Sequence, residues 1–421
     1  MYRVSHALSL FALCLAAGIA LAMLWANVAP QTYQDMVEWR LIDGFAIGYP
    51  NPDAAGMANR TLTLHYLVNN GLMALFFLLA GKEVWEALSQ KSGALRGGSA
   101  VVPVGATVGA MTGPILIYLA IAATTRGADW QALRGGWAIP AAGDLVLTYI
   151  IGRTVLGRRH PGLRLLMLVA ITSDCAALVG LGLFFPVGPL QPLWLILPLA
   201  APVLAWGLVG RSGQTRQQES WQKRFGPLPW AIAGVLSWYG VQQAGLHPAF
   251  GLLPLVPAIP HANRAFGFFA EAEDYLTDPL NRIAHLLTWP VAATLFLFGL
   301  INGGGQILAY APATSVTFFA LLLGKPLGLL LGATLTAHLF GRRLPDGISP
   351  VDLALLGLIA GCSFTVPMLL ADATLPGGAV LEAAKLGLIA SLVLAPLAVF
   401  LAWMFRLGRW QRLPTLPIDQ G

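Results

Sequence analysis

Twelve stretches of the chain are apolar enough to be read as helices that cross or enter a bilayer: about 7–28, 63–87, 99–123, 136–152, 162–186, 191–210, 228–243, 247–259, 285–302, 314–340, 350–371 and 379–406. A crossing takes about 20 such residues, fewer where the helix is broken. The seventh and eighth stretches are short, have His247-Pro248 between them, and need not each cross fully. The first exceeds the apolar core of a signal peptide, is followed by no small-x-small cleavage site, and carries Trp25 where a helix meets the interface, so it is read as a retained helix. Between the first two stretches the period changes. Leu41, Asp43, Phe45, Ile47 and Tyr49 alternate and are mostly apolar, and the turn-like Pro50-Asn51-Pro52-Asp53 follows. Residues 41–61 therefore read either as an exposed β-hairpin or as a structureless loop. The pattern gives an all-α integral membrane protein, a single domain over 1–421.

Composition agrees: 57% of the 421 residues are hydrophobic and only 10% charged, which excludes a disordered chain and argues against a soluble enzyme. The formal charge of +6 does not indicate nucleic acid, because Lys and Arg sit in short loops and not in a stripe with aromatics. Loops on the side of the termini hold Arg3, Lys91, Arg96, Arg153, Arg158, Arg159, Arg164, Arg211, Arg216, Lys223, Arg224, Arg264, Arg282, Arg342, Arg343, Arg406, Arg409 and Arg412. The opposite loops hold Arg40, Arg60, Arg126 and Arg134. An even number of spans and this excess of cations on one side place both termini in the cytoplasm. Glu271, Glu273, Asp274 and Asp278 in loop 260–284 count little in that rule. Cys14, Cys175 and Cys362 are scattered in apolar runs and indicate neither disulfides nor zinc. Asn59-Arg60-Thr61 matches a glycosylation acceptor, a weak match by itself. The chain holds no phosphate-binding loop, HExxH, nucleophile elbow or CxxC. It is therefore read as no enzyme, with no cofactor, and an ion gradient remains as the energy source.

Three charges sit where charge is expensive. Asp144 and Asp174 each lie in a long apolar run, the first broken by Pro140 and flanked by Gly135, Gly136 and Gly143. Lys325 lies in a third run and is followed by Pro326. A charge at mid-bilayer costs a few kcal/mol on insertion scales, so such residues face a cavity, pair, or handle ions. Together with the broken helices they indicate a transporter for a cation, a proton, or both. The alternatives are structural: a neutral or paired Asp174, and an Asp144 that serves helix ends. Lys325 must pair, lose its proton or snorkel, and Pro326 frees the Leu322 carbonyl as one acceptor. His247 reads more readily as a cap than as a ligand, and Glu83 more readily as a local ion pair with Lys82 than as a sensor.

The segments NNGLMALFFLLAGKEVWEAL (69–88), GGWAIPAAGD (135–144), ITSDCAAL (171–178), GLHPAFGLL (245–253), LLLGKPLGL (321–329), GCSFTVPMLLA (361–371) and AAKLGLIAS (383–391) occur in this order. In them the chain resembles the NhaA family of sodium/proton antiporters over nearly its whole length. The resemblance implies about twelve transmembrane helices, with three-helix repeats over about 99–186 and 314–406 inverted about an axis in the membrane plane. It implies two discontinuous helices crossing at mid-membrane, broken at Pro140 with Gly143 and from Gly361 to Pro367, with Asp144 compensating helix ends there. Lys385 becomes the counterpart of Asp174 in the second repeat. It further implies a bacterial-type inner membrane protein, multi-pass and homodimeric, that exchanges protons for sodium or lithium in pH and sodium homeostasis.

The departures bear on mechanism. The family's adjacent Asp pair is Ser173-Asp174 here, its frequent Thr before the fourth-helix Asp is Gly143, and its second-helix Asp is Asn70. The acid before His285 is Ala284, and the usually apolar residue before Glu83 is Lys82. The cation and proton ligands implied are Asp174 and Asp144 with Ser173, Thr172 and unwound carbonyls, hard oxygens for a hard monovalent cation. Lys325 is a charge partner of Asp174 or a proton carrier, and Glu83 and His285 are candidates for a response to pH. Two other readings stay open. One is the same fold carrying potassium or a small organic anion, and the other is a sensor or scaffold that transports nothing.

Overall fold

The computed structural model describes residues 6–50, 60–89, 100–125, 127–158, 160–210, 227–261, 278–345 and 347–410. Of the loop residues weighed above, Arg3, Asn51 to Asp53, Asn59, Lys91, Arg96, Arg126, Arg159, Arg211, Arg216, Lys223, Arg224, Arg264, Glu271, Glu273, Asp274 and Arg412 lie outside them. Among the described residues, eight helices are long and apolar enough to cross a membrane: α1 (His6–Val28), α2 (Leu64–Ser89), α3 (Val101–Ala122), α6 (Pro161–Gly182), α7 (Pro192–Gly210), α9 (Pro279–Asn302), α10 (Pro312–Leu339) and α13 (Ala379–Trp410). Two further spans are broken, α4 (Trp130–Ala141) with α5 (Leu145–Leu156), bent by 56°, and α11 (Pro350–Ala360) with α12 (Thr365–Thr374), bent by 58°. The eleventh, α8 (Leu228–Gln243), has 16 residues.

The eighth expected stretch, 247–259, is not a helical span. It holds two 3-10 turns, Pro248–Phe250 and Leu253–Leu255. Pro248, Pro254 and Pro257 remove the amides a continuous helix would need. His247 caps the first turn, its Nδ1 accepting from the Ala249 amide at 3.3 Å, the capping role expected of it. The alternating segment does form strands. β1 (Arg40–Phe45) and β2 (Tyr49–Pro50) both pair antiparallel with β3 (Arg60–Thr63), giving the order β1-β3-β2 in place of a simple two-stranded hairpin.

The helices pack as two sets. In one, α3 lies along α10 and α10 along α11 and α13, both broken spans pack with α6 and α13, and the first also packs with α3. The α3–α10 contact is backbone on backbone. Gly105, Gly109 and Gly113 face Gly324, Gly328 and Gly332, and a Cβ on Gly109 would run into the Gly328 carbonyl. In the other set α1 lies along α9, α9 along α2, and α8 along α7 and the 3-10 turns. The sets meet along a narrower seam, α1 against α5 and α2 against α6.

A candidate ion site where two broken helices cross

A helix that stops inside a bundle leaves amides bare at its start and carbonyls bare at its end. Pro140 and Gly143 end α4, and the chain is extended at Asp144 (φ −152°) before α5 begins. The second break runs from Gly361 to Phe364. Pro367 lies inside the first turn of α12, where its missing N–H is not needed, so the break is shorter than the expected 361–367.

Asp144 caps two helix starts at once. Its Oδ1 accepts from the Leu147 amide of α5 at 2.8 Å, and its Oδ2 accepts from the Thr365 amide of α12 at 2.9 Å. One carboxylate therefore faces the positive ends of both half-helices. At the end of α4, Lys325 reaches across from α10 and its Nζ donates to the carbonyls of Ala141 (2.9 Å) and Ala142 (2.7 Å). Asp174, on α6, takes the amides on either side of Asp144. Oδ1 accepts from Gly143 at 2.8 Å and Oδ2 from Leu145 at 3.3 Å. All three charged side chains are at most 2% exposed.

Lys325 and Asp174 face the same break without direct contact. Among the described residues no ion pair within 4.0 Å joins it to Asp174, and its ammonium does not use the Leu322 carbonyl. The bare end of α4 offers two carbonyls with the negative end of a helix behind them, and the ammonium binds there. Ser173 is buried beside the break, its Oγ donating to the Ala170 carbonyl at 2.9 Å. A Cβ on Gly143 would lie 3.0 Å from that Oγ and 3.3 Å from Ala170 Cα, so the glycine lets the break press against α6. Thr172 is bonded within α6, donating to the Leu168 carbonyl at 2.6 Å, and is only half-buried.

Other expected residues lie elsewhere. Glu83 is in a buried cluster with Lys82 (3.1 Å) and Glu86 (3.4 Å from Lys82), in line with a local ion pair. His285 is exposed on α9. Lys385 is not at the crossing. It pairs with Asp372 at 2.9 Å near the end of α12. Residues the sequence reading did not single out are Thr148 and Thr365, whose hydroxyls are buried beside Asp144, and Asp372 itself. Thr148 follows Asp144 by one helical turn, and that spacing was the available signal. Asp372 stands one residue past the expected end of its span.

The crossing thus gathers two carboxylates, two buried hydroxyls and the carbonyls of a break, all hard oxygen donors. No group of three or more His, Cys, Asp or Glu that could hold a metal occurs among the described residues. The sequence matches the family model described as Na+/H+ antiporter 1 over residues 3–403. The chain belongs to the NhaA family of sodium/proton antiporters. It is 43% identical over 407 residues to the Na+/H+ antiporter NhaA of Jannaschia sp. (strain CCS1), covering 95% of this chain and 97% of that protein. With the Na+/H+ antiporter NhaA of Geobacter metallireducens it shares 33% over 402 residues, with the same coverage. Among solved structures it is similar to the sodium proton antiporter MjNhaP1 of Methanocaldococcus jannaschii, at TM-score 0.44 and 17% identity, covering 94% of this chain and 97% of that one. Four of the seven NhaA-like segments, 135–144, 171–178, 321–329 and 361–371, surround the crossing.

Proposed function

We propose that the protein is a secondary antiporter that exchanges protons for sodium or lithium ions across the bacterial cytoplasmic membrane, in pH and sodium homeostasis. The observation that carries this reading is the pair of buried carboxylates held by the amides of one helix break, Asp174 by Gly143 and Leu145, Asp144 by Leu147 and Thr365. Each carboxylate oxygen keeps a lone pair beyond the amide it accepts from. A proton or a hard cation can take that position on Asp174, and the two exclude each other. With the site open to one side of the membrane at a time, this competition exchanges one for the other. Asp144, Ser173 and Thr172 supply further oxygens, and Lys325 sets the local positive charge. The repeats over about 99–186 and 314–406 carry the two breaks, and their inversion about an in-plane axis supplies the alternating exposure.

The termini face the cytoplasm by the asymmetry of Lys and Arg. The protein acts as a homodimer in the lipid bilayer, joined in part through the outer strands, where Trp39 just before β1 and Leu41 and Ile42 on it are exposed. Deleting 45–55 should shift the detergent-solubilised protein toward monomer, and an unchanged dimer would remove the strands from that role.

Proteoliposomes loaded with a pH indicator test the exchange. Sodium or lithium should dissipate an imposed pH gradient, and Asp174→Asn should reduce the response to background while eluting as folded protein. Potassium alone, an organic anion alone, or no ion at all eliciting a response would each replace the present reading. Exchange at the unmodified rate in Asp174→Asn would remove the site.

A further inference from the structure

A second charged cluster lies at the ends of the helices that point toward the strands. Asp372, on α12, has its Oδ1 2.9 Å from Lys385 Nζ of α13. Its Oδ2 is 3.4 Å from His65 Nε2 and 3.2 Å from Asn69 Nδ2, both on α2. Asn69 also exchanges two hydrogen bonds with Asn302 at the end of α9, at 2.9 and 3.1 Å, and His65 Nδ1 lies 2.9 Å from the hydroxyl of Tyr49 on β2. Asn69 stands in a π-helical turn, Leu67–Leu72, a local widening that often marks a functional position. The cluster opens into a cavity of about 720 Å³, lined also by Glu38, Arg40 and Glu382.

The two sides of this cluster belong to different sets of helices. Asp372 and Lys385 are on α12 and α13, in the set that carries the crossing. His65, Asn69 and Asn302 are on α2 and α9, in the other. Lys385 holds the carboxylate charged and in place from within its own set. The bonds from His65 and Asn69 are then ties from set to set at the strand-side ends of the helices, while at the opposite ends Arg153 of α5 donates to Ser9 of α1 at 2.8 Å. We propose that Asp372 is an outer latch: by tying the helices around the crossing to His65 and Asn69, it holds the outer mouth closed until the tie is released. The inference rests on the exchange reading, since only a protein with alternating exposure needs a releasable tie on one side. Transporters of this kind move one bundle against another around a fixed site.

Labelling by a membrane-impermeant thiol reagent in right-side-out vesicles tests it without any transported ion. The background replaces Cys14, Cys175 and Cys362, and the reporter is Ile301→Cys, a buried position on the wall of the cavity. Asp372→Ala on one side of the tie, or Asn69→Ala on the other, should each raise the labelling rate about tenfold, the population shift that corresponds to about 1.4 kcal/mol. Combining them should add little, because both cut the same link. A control reporter at Thr314→Cys, buried between α10 and α13 within one set, should not change. An unchanged Ile301→Cys rate in both variants overturns the latch, and so does a parallel rise at Thr314→Cys, which would mean local unfolding. If exchange itself is absent while labelling responds as described, the exchange reading fails and the tie stands.

Discussion

Asp144 and Asp372 are carboxylates in the same set of helices, and they are satisfied in opposite ways. Asp144 accepts from two backbone amides, Leu147 and Thr365, and is fully buried. Asp372 is met by side chains, those of Lys385, His65 and Asn69, and its own side chain is 17% exposed beside a cavity. Backbone donors at a helix start cannot swing away without unwinding the helix, so the geometry around Asp144 is fixed by the fold. Side-chain donors can rotate and rehydrate, so the bonds on Asp372 can break while the fold is kept. A charge that must stay in place is bound by backbone, and one that must let go is bound by side chains.

The largest expected effect separates the two on stability. Asp144→Ala strips two buried amides of their acceptor at once, at about 1–2 kcal/mol each, or about 2–4 kcal/mol in all. Asp372→Ala leaves Lys385 and His65 beside a cavity that can admit water, and should cost about 1 kcal/mol, in the range of an exposed pair. Denaturation in mixed detergent–lipid micelles measures both. Equal losses, or a larger one for Asp372→Ala, would break the distinction drawn here.

The two carboxylates also differ in how far the sequence reveals them. Asp144 follows Pro140 and Gly143 inside an apolar run, and breakers next to a charge announce a helix interrupted for a purpose. Gly361 marks the second break in the same way. Asp372 is followed by Ala-Thr-Leu-Pro-Gly-Gly, which reads as the ordinary polar end of a span, and only the fold brings His65 some three hundred positions away beside it. Lys325 shows the same limit. Its burial was legible, but its partners are carbonyls, which no residue type encodes. The stretch 247–259 misled because apolar content outweighed three prolines in the reading, whereas the backbone follows the prolines into 3-10 turns. The stacked glycines of α3 and α10 recur at four-residue spacing, 105-109-113 and 324-328-332, a small-residue signal for close helix contact that the sequence reading did not use.

Double-mutant cycles sharpen the comparison at a smaller scale. Asp372 and Lys385 touch at 2.9 Å, so Asp372→Asn with Lys385→Met should give a coupling of about 1 kcal/mol. Asp174 and Lys325 hold different atoms of the same break without touching, so Asp174→Asn with Lys325→Met should couple through space by about half that or less. A stronger coupling at the crossing would mean that the ammonium leaves the Ala141 and Ala142 carbonyls for Asp174 in a populated state.

The smallest expected effect is an absence, the response of exchange to membrane potential. Moving net charge in each cycle requires two groups that change protonation against one monovalent cation. Asp174 is one. Its neighbour is Ser173, whose hydroxyl does not titrate in the working range and is already donated to Ala170. Lys325 is the remaining candidate, and its Nζ donates to two carbonyls, Ala141 and Ala142. Two acceptors at the negative end of a helix favour the ammonium, so Lys325 should keep its charge through the cycle. Asp174 then trades one proton for one cation, and no net charge crosses. Sodium-driven proton movement, measured with the potential clamped at zero and then at about 100 mV, should show one rate, where a full charge moved would be worth about 2.3 kcal/mol, up to about fiftyfold. Ser173→Asp places a second carboxylate against the same break, next to Gly143, and should make the rate depend on potential. A steep dependence in the unmodified protein would show that Lys325 gives up its proton in each cycle, and that its hold on Ala141 and Ala142 is released as readily as the bonds on Asp372.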